Sequence, residues 1–173
     1  MSTKQLVRIS IMGCIQFISF YLFADILYLE AITIVTIVFA LVFSKKESIL
    51  GSIVFCLLNI ILKQGLTTWS FMYLIIYPLY SLLIGSLRNT LIKSKIRIVV
   101  LCFVLSFMTG QLLQIPYMLI SKHITIYYII FGLKTSLIQA TITASVCLII
   151  NEVLINTLNK IIRRNKTWKK LKT

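Results

Sequence analysis

The sequence predicts an all-α polytopic membrane protein, with six transmembrane helices in one compact bundle and the N- and C-termini cytoplasmic. Three observations carry this. Hydrophobic residues make up 59% of the 173 residues and the mean hydropathy is +0.98, above what a soluble domain of this size reaches. Six apolar stretches, 6–28, 30–44, 48–62, 70–87, 97–120 and 124–158, alternate with clusters of Lys and Arg. Threading them through a bilayer sorts the charges. One side receives Lys4, Arg8, Lys45, Lys46, Arg88, Lys93, Lys95, Arg97 and the seven basic residues from Lys160 to Lys172, fifteen in all. The other receives Lys63 and Lys122, with Lys134 inside the last stretch. Lys and Arg accumulate in cytoplasmic loops, so both termini are expected inside.

The first stretch follows a short basic lead, and Arg8 precedes about twenty mostly apolar residues with no small-x-small site closing them. That is a retained helix rather than a cleaved signal peptide. The second and third stretches are only about fifteen residues each, against roughly twenty needed to cross the hydrocarbon core. Ser44-Lys45-Lys46-Glu47-Ser48 joins them, and its charges belong at a membrane surface. Spans this short need support from neighbouring protein or local thinning of the bilayer; a re-entrant hairpin is the other arrangement. In the fourth stretch Pro78 removes one backbone hydrogen bond and is expected to kink the helix, which neighbouring helices can tolerate. Pro116 is expected to do the same in the fifth. The last stretch runs to about Leu158 and is expected to project into the cytoplasm. The chain therefore divides into a transmembrane domain, 1–159, and a basic cytoplasmic tail, 160–173.

The formal net charge of +14 sits in short loops and in that tail, where it fixes orientation and meets anionic lipid headgroups. It does not point to nucleic acid. Cys14, Cys56, Cys102 and Cys147 are scattered in separate apolar stretches, with no metal-site or redox spacing. They read as small packing residues. There is one histidine, His123, and no HExxH, GxSxG or paired-carboxylate pattern. A cysteine nucleophile would need that histidine within hydrogen-bond reach, yet Cys147 lies about a bilayer thickness further along the last helix. No GxxxxGK[ST] loop is present. No enzyme activity, metal or cofactor is expected.

What remains is a set of polar and aromatic residues towards the outer half. Asp25 and Glu30 flank the first outer turn. Asn59, Lys63, Gln64 and Trp69 surround the second, with Tyr73 and Tyr77 just inside the fourth helix. Gln111, Gln114 and Tyr117 lie in the outer half of the fifth, and His123, Tyr127, Tyr128 and Lys134 begin the sixth. A charged side chain at membrane depth costs roughly 2.5–3.5 kcal/mol, so such groups face a cavity, a partner or water. Lys134, in Phe131-Gly132-Leu133-Lys134-Thr135-Ser136, is the sharpest case. It either snorkels to the outer interface along its four-carbon stem or faces a pocket and pairs with an anionic group of a ligand. The aromatic residues suit an interfacial belt, or as a group a pocket that stacks on a flat ligand.

Three segments together resemble the substrate-binding (S) components of energy-coupling-factor transporters, small six-helix membrane proteins that capture vitamins in prokaryotes. They are the lead Lys4-Gln5-Leu6-Val7-Arg8-Ile9-Ser10-Ile11-Met12, the turn Phe39-Ala40-Leu41-Val42-Phe43-Ser44-Lys45-Lys46-Glu47-Ser48-Ile49-Leu50-Gly51 between two short helices, and Trp69 to Gly85 with Tyr77-Pro78. The resemblance covers most of the chain as a pattern of features, without a rigid motif.

The resemblance implies a plasma-membrane capture subunit of an ABC-type importer. Its partners would be a transmembrane coupling (T) subunit, two cytoplasmic ATPases and a water-soluble vitamin or related micronutrient. The pocket would be near the outer face on helices four to six and the outer loops. The residues expected to line it are Trp69, Tyr73, Tyr77, Gln111, Gln114, Tyr117, Tyr128 and Lys134. The family's Ala-x-x-x-Ala docking pattern on the first helix falls on Ser10 and Cys14, with Gly13 beside them. Small residues at that spacing let helices approach closely in lipid, for docking on the T subunit or for packing inside the bundle. The competing class is a small non-transport interaction or assembly protein with no small-molecule ligand.

Overall fold

Each apolar stretch contains one α-helix, and no strand occurs among the described residues. The helices are α1 (Thr3–Phe23), α2 (Ala31–Val42), α3 (Lys45–Asn59), α4 (Thr68–Leu91), α5 (Lys95–Leu112) and α6 (Lys122–Lys170). In this computed structural model the backbone is described for residues 1–170 except Asp25, Leu27 and Ile120. Side chains are described for the same residues other than 119, 151–155 and 157–170. Asp25 and the side chains of the basic tail therefore lie outside the described residues.

The helix starts are written in the sequence. Ser2 and Gln5 form a reciprocal capping box at α1, the Gln5 N–H donating to Ser2 Oγ and the Ser2 N–H to Gln5 Oε1 at 2.9 Å. Ser44 and Glu47 do the same at α3. With Phe43 and Ser44 both extended, that second box ends α2 and starts α3 in a new direction.

The third helix is not short. A π-helical turn, Ile60–Gln64, continues α3, giving a helix of 20 residues from Lys45 to Gln64, about 30 Å at 1.5 Å per residue. Hydropathy alone missed its first turn because Lys45, Lys46 and Glu47 are charged. Among the described residues five helical segments are thus long and apolar enough to cross a membrane. The exception is α2, whose 12 residues reach only about 18 Å. Pro78 lies inside α4 as expected. Pro116 does not kink α5: that helix ends at Leu112, and Pro116 sits in a separate 3-10 turn, Ile115–Leu119. The sixth helix, at 49 residues, is more than twice as long as a span requires.

Packing places apolar residues outside and small or polar ones at the crossings. Ile11, Leu22, Ile61, Ile75, Val100, Ile130 and Phe131 are more than half exposed, whereas Gln16, Thr36, Ser52, Ser81 and Ser106 are buried. This inversion suits a hydrocarbon surround, in which interhelical hydrogen bonds and close approach, more than burial of apolar surface, join helices. Gln16 Nε2 donates to Thr36 Oγ1 at 3.0 Å, and the Ser52 and Ser81 hydroxyls are 2.7 Å apart, tying α1 to α2 and α3 to α4. Against α3, α1 makes glycine-mediated contact: a Cβ on Gly13 would meet the Val54 side chain, and one on Gly51 would lie 3.1 Å from Met12 Cβ. On the opposite side α5 and α6 approach closely where Gly110 faces Ser136. Between them lies a core of Ile37, Leu41, Phe55, Tyr77, Ile84, Ile98 and Cys102.

One end of the molecule gathers the start of α1 and the α2–α3 and α4–α5 junctions. Arg8 Nη2 pairs with Glu47 Oε1 at 2.7 Å, Arg88 Nη1 donates to the Phe43 carbonyl at 3.4 Å, and Lys45 packs over Gly85. The other end carries the finish of α1, the start of α2, the π-helical turn and the start of α4. That end holds the cavity.

Candidate functional site

The end of α1, the segment leading to α2, the π-helical turn, the first three turns of α4 and the end of α5 enclose a cavity of about 430 Å³. This volume lies within the range of small-molecule sites. Its walls are aromatic: Phe20 and Phe23 from α1, Tyr28 from the connecting segment, and Trp69, Tyr73 and Tyr77 from α4. The rings interlock, with Phe20 edge-on to Tyr73 at 5.8 Å and Tyr73 tilted against Tyr77 at 5.5 Å. Leu113, Thr109 and Gly110 close the α5 side, and Gln139 is the contribution of α6.

Tyr28 has φ +62°, a left-handed conformation uncommon for a bulky residue and of the kind that concentrates at functional sites. Gly65, also at positive φ, makes the turn into α4. Its carbonyl accepts from Ser70 Oγ at 2.9 Å while Thr67 caps the helix. Gln64, Asn59 and Ser70 are joined there by hydrogen bonds, so the rim next to Trp69 is a braced polar turn.

The centre of the site is Glu30, the residue just before α2. Its Oε1 accepts from Thr33 Oγ1 at 2.6 Å and from Tyr77 OH at 3.1 Å, and its Oε2 accepts from Gln139 Nε2 at 2.9 Å. Its own N–H donates to Thr143 Oγ1 at 3.4 Å. Residues from α2, α4 and α6 thus converge on one carboxylate, which lines the cavity. The Thr33 and Tyr77 hydroxyls and the Gln139 amide are all placed to donate to it. Among the described residues no basic side chain forms an ion pair with Glu30; Arg8 pairs with Glu47 at the other end. Lys63 lines the same cavity at its exposed rim, with Nζ 5.0 Å from the Phe20 ring centroid and 4.9 Å from that of Tyr21.

Of the residues expected to line a pocket, Trp69, Tyr73 and Tyr77 come together here. Gln111 and Gln114 lie instead on the α5–α6 seam: Gln111 Nε2 donates to Ser136 Oγ at 2.8 Å, and both amides approach Gly132. Tyr117 and Tyr128 stack on each other at 5.2 Å, outside the cavity lining. Lys134 is exposed and does not line the cavity. It stands five residues from Gln139, about 140° around the helix at 3.6 residues per turn. On α1 the small residues divide. Gly13 is buried against α3, while Ser10 and Cys14 are exposed, and Ser10 Oγ bonds back to the Leu6 carbonyl at 3.1 Å.

Sequence reasoning placed Glu30 in a surface turn and overlooked Gln139 and Thr143. A signal for the last two exists: Gly132, Ser136, Gln139 and Thr143 recur every three or four residues, one small and polar stripe along α6. Among the described residues no group of three or more His, Cys, Asp or Glu side chains could hold a metal ion. No family model matches the chain, and no curated protein or solved structure matches it either.

Proposed function

We propose that the chain is the substrate-capture subunit of an energy-coupling-factor importer in the plasma membrane of a prokaryote. It would take up a water-soluble vitamin or related micronutrient and deliver it through a T subunit driven by two ATPases. The observation that carries this reading is the aromatic-lined cavity with the hydrogen-bonded carboxylate of Glu30 in its wall, at the end of the molecule opposite the cluster of Arg8, Lys45 and Arg88. With the basic end cytoplasmic, both termini are inside and the cavity faces outward, where a capture subunit needs it. A cavity that combines aromatic walls with convergent polar groups suits a small-molecule site. The exposed face of α1, with Ser10 and Cys14, is the candidate surface for the T subunit, and Gly13 serves packing within the chain.

The partner half of the proposal is tested by purifying the tagged chain from membranes of its own cells and identifying what accompanies it. Recovery of a T subunit with two ATPases is expected. Recovery of assembly or enzyme subunits instead, with no ATPase, would contradict the proposal and favour an interaction protein.

A further inference from the structure

We infer that the cavity takes an organic cation carrying a flat ring, its positive nitrogen set against Glu30 and its ring against Trp69 and Tyr73. This rests on the capture reading and narrows it to one ligand chemistry. Among the described residues two charged groups line the cavity, and their positions differ. Lys63 is exposed at the rim, its ammonium already over the faces of two aromatic rings. Glu30 is half-buried in the cavity wall, its direction fixed by the neutral side chains of Thr33, Tyr77 and Gln139. The carboxylate lines the cavity, so a donor on a bound ligand can reach it from that side.

Water exclusion by a ligand would strengthen whatever charge interaction Glu30 then makes. An anion bound there would meet a like charge across a poorly screened gap. A neutral ring would desolvate the carboxylate and return nothing for it. A cation satisfies it, and aromatic faces attract the same charge through their quadrupoles. Trp69 and Tyr73 line the same cavity as Glu30. A bare metal ion does not fit: the space is about 430 Å³ and no cluster of ligating side chains accompanies the carboxylate among the described residues.

The test uses three probes with one pyridine ring and different charge: 1-methylnicotinamide (cation), nicotinamide (neutral) and nicotinate (anion). Each is titrated against the detergent-purified full chain by thermal stabilisation, which reports binding to the folded state. The cation is expected to stabilise the protein more than the other two. Glu30→Gln is expected to weaken the cation by about 100-fold, as loss of a desolvated charge pair does. Lys63→Met, at an exposed position, is expected to strengthen it by roughly 3–10-fold, because a like charge at the rim is removed. The Lys63 variant keeps the test decisive even where Glu30→Gln fails to fold. The charge of any molecule retained by the purified wild type is a second readout. Preference for nicotinate or nicotinamide, weakening of the cation by Lys63→Met, or a retained anion would overturn the cation assignment and leave the capture reading standing. No stabilisation by any probe, with nothing retained, would overturn both.

Discussion

Gly13→Ala and Gly132→Ala are the same chemical change at two helical positions, and the structure requires opposite outcomes. A Cβ on Gly13 would lie 2.7 Å from Val54 Cβ and 3.1 Å from the Gly51 carbonyl oxygen. Carbon atoms in good contact stand about 3.5–4.0 Å apart, so α1 and α3 would have to separate by about 1 Å. Neither obstacle is a flexible side-chain end, since one is a β-branched carbon and the other backbone. Overpacking of this kind costs about 1–3 kcal/mol. On Gly132 the nearest atom would be Gln114 Nε2 at 3.7 Å, an ordinary contact, and Ala gains up to about 1 kcal/mol of helix propensity. That gain is common to both sites, so the difference between the variants isolates packing. At about 2–4 °C per kcal/mol for a chain of this size, Gly13→Ala should melt roughly 2–12 °C below Gly132→Ala. Thermal unfolding with a thiol-reactive dye suits the comparison, because Cys56, Cys102 and Cys147 are buried and Cys14 is exposed. A Cys14→Ala background removes the early signal. Gly13→Ala melting at or above Gly132→Ala would refute the assignment of Gly13 to the α1–α3 contact and return it to the candidate docking surface.

Three further outcomes follow from single contacts. Arg8→Ala leaves Glu47, whose side chain is 8% exposed, without its ion-pair partner. Arg8 is half-exposed, so the cost is expected at about 1–2 kcal/mol, below that of breaking a fully buried pair; an unchanged melting temperature would count against the pair. Tyr77→Phe keeps the ring packing against Phe55 at 5.4 Å and removes one of three donors to Glu30, for about 1.5 kcal/mol, read as a fall of about 3–6 °C. A variant as stable as wild type would show that this hydroxyl does not hold the carboxylate. Lys134→Ala should leave the affinity for a retained ligand within about twofold of wild type, since the side chain faces away from the cavity; a tenfold loss by titration, about 1.4 kcal/mol, would relocate the site to α6.

The long apolar helices were legible because hydropathy over some twenty residues leaves few alternatives for a chain this apolar. The ends were less so. At α3 the first turn is charged, and its start could have been found from Ser44 and Glu47, three residues apart as a capping box requires. Pro116 was legible as a breaker, though whether it kinks a helix or follows its end depends on where α5 stops bonding. Trp69, Tyr73 and Tyr77 stood out as aromatic residues of the outer half, and their spacing of four, which places them on one helix face, is why they meet in the cavity wall. Glu30 was misplaced because the residue before a helix can point either way. Its direction is set by Thr33 three residues on, and by Tyr77 and Gln139, which lie 47 and 109 residues away. Lys134 was conspicuous as a charge in an apolar helix. Which neighbours its face meets is decided by Ser136 and Gln139 turning inward, on the small and polar stripe from Gly132 to Thr143 that Lys134 lies off.

The central claim is that the cavity around Glu30 captures a small molecule. It is tested most directly by mass spectrometry of what is released when the detergent-purified protein, expressed in rich medium, is denatured. The account predicts a vitamin or related micronutrient in about one-to-one ratio with the chain, absent from Trp69→Ala. A clean blank from wild type, repeated after dosing with a vitamin panel, would contradict it and leave the polar groups of the cavity as partners only for one another.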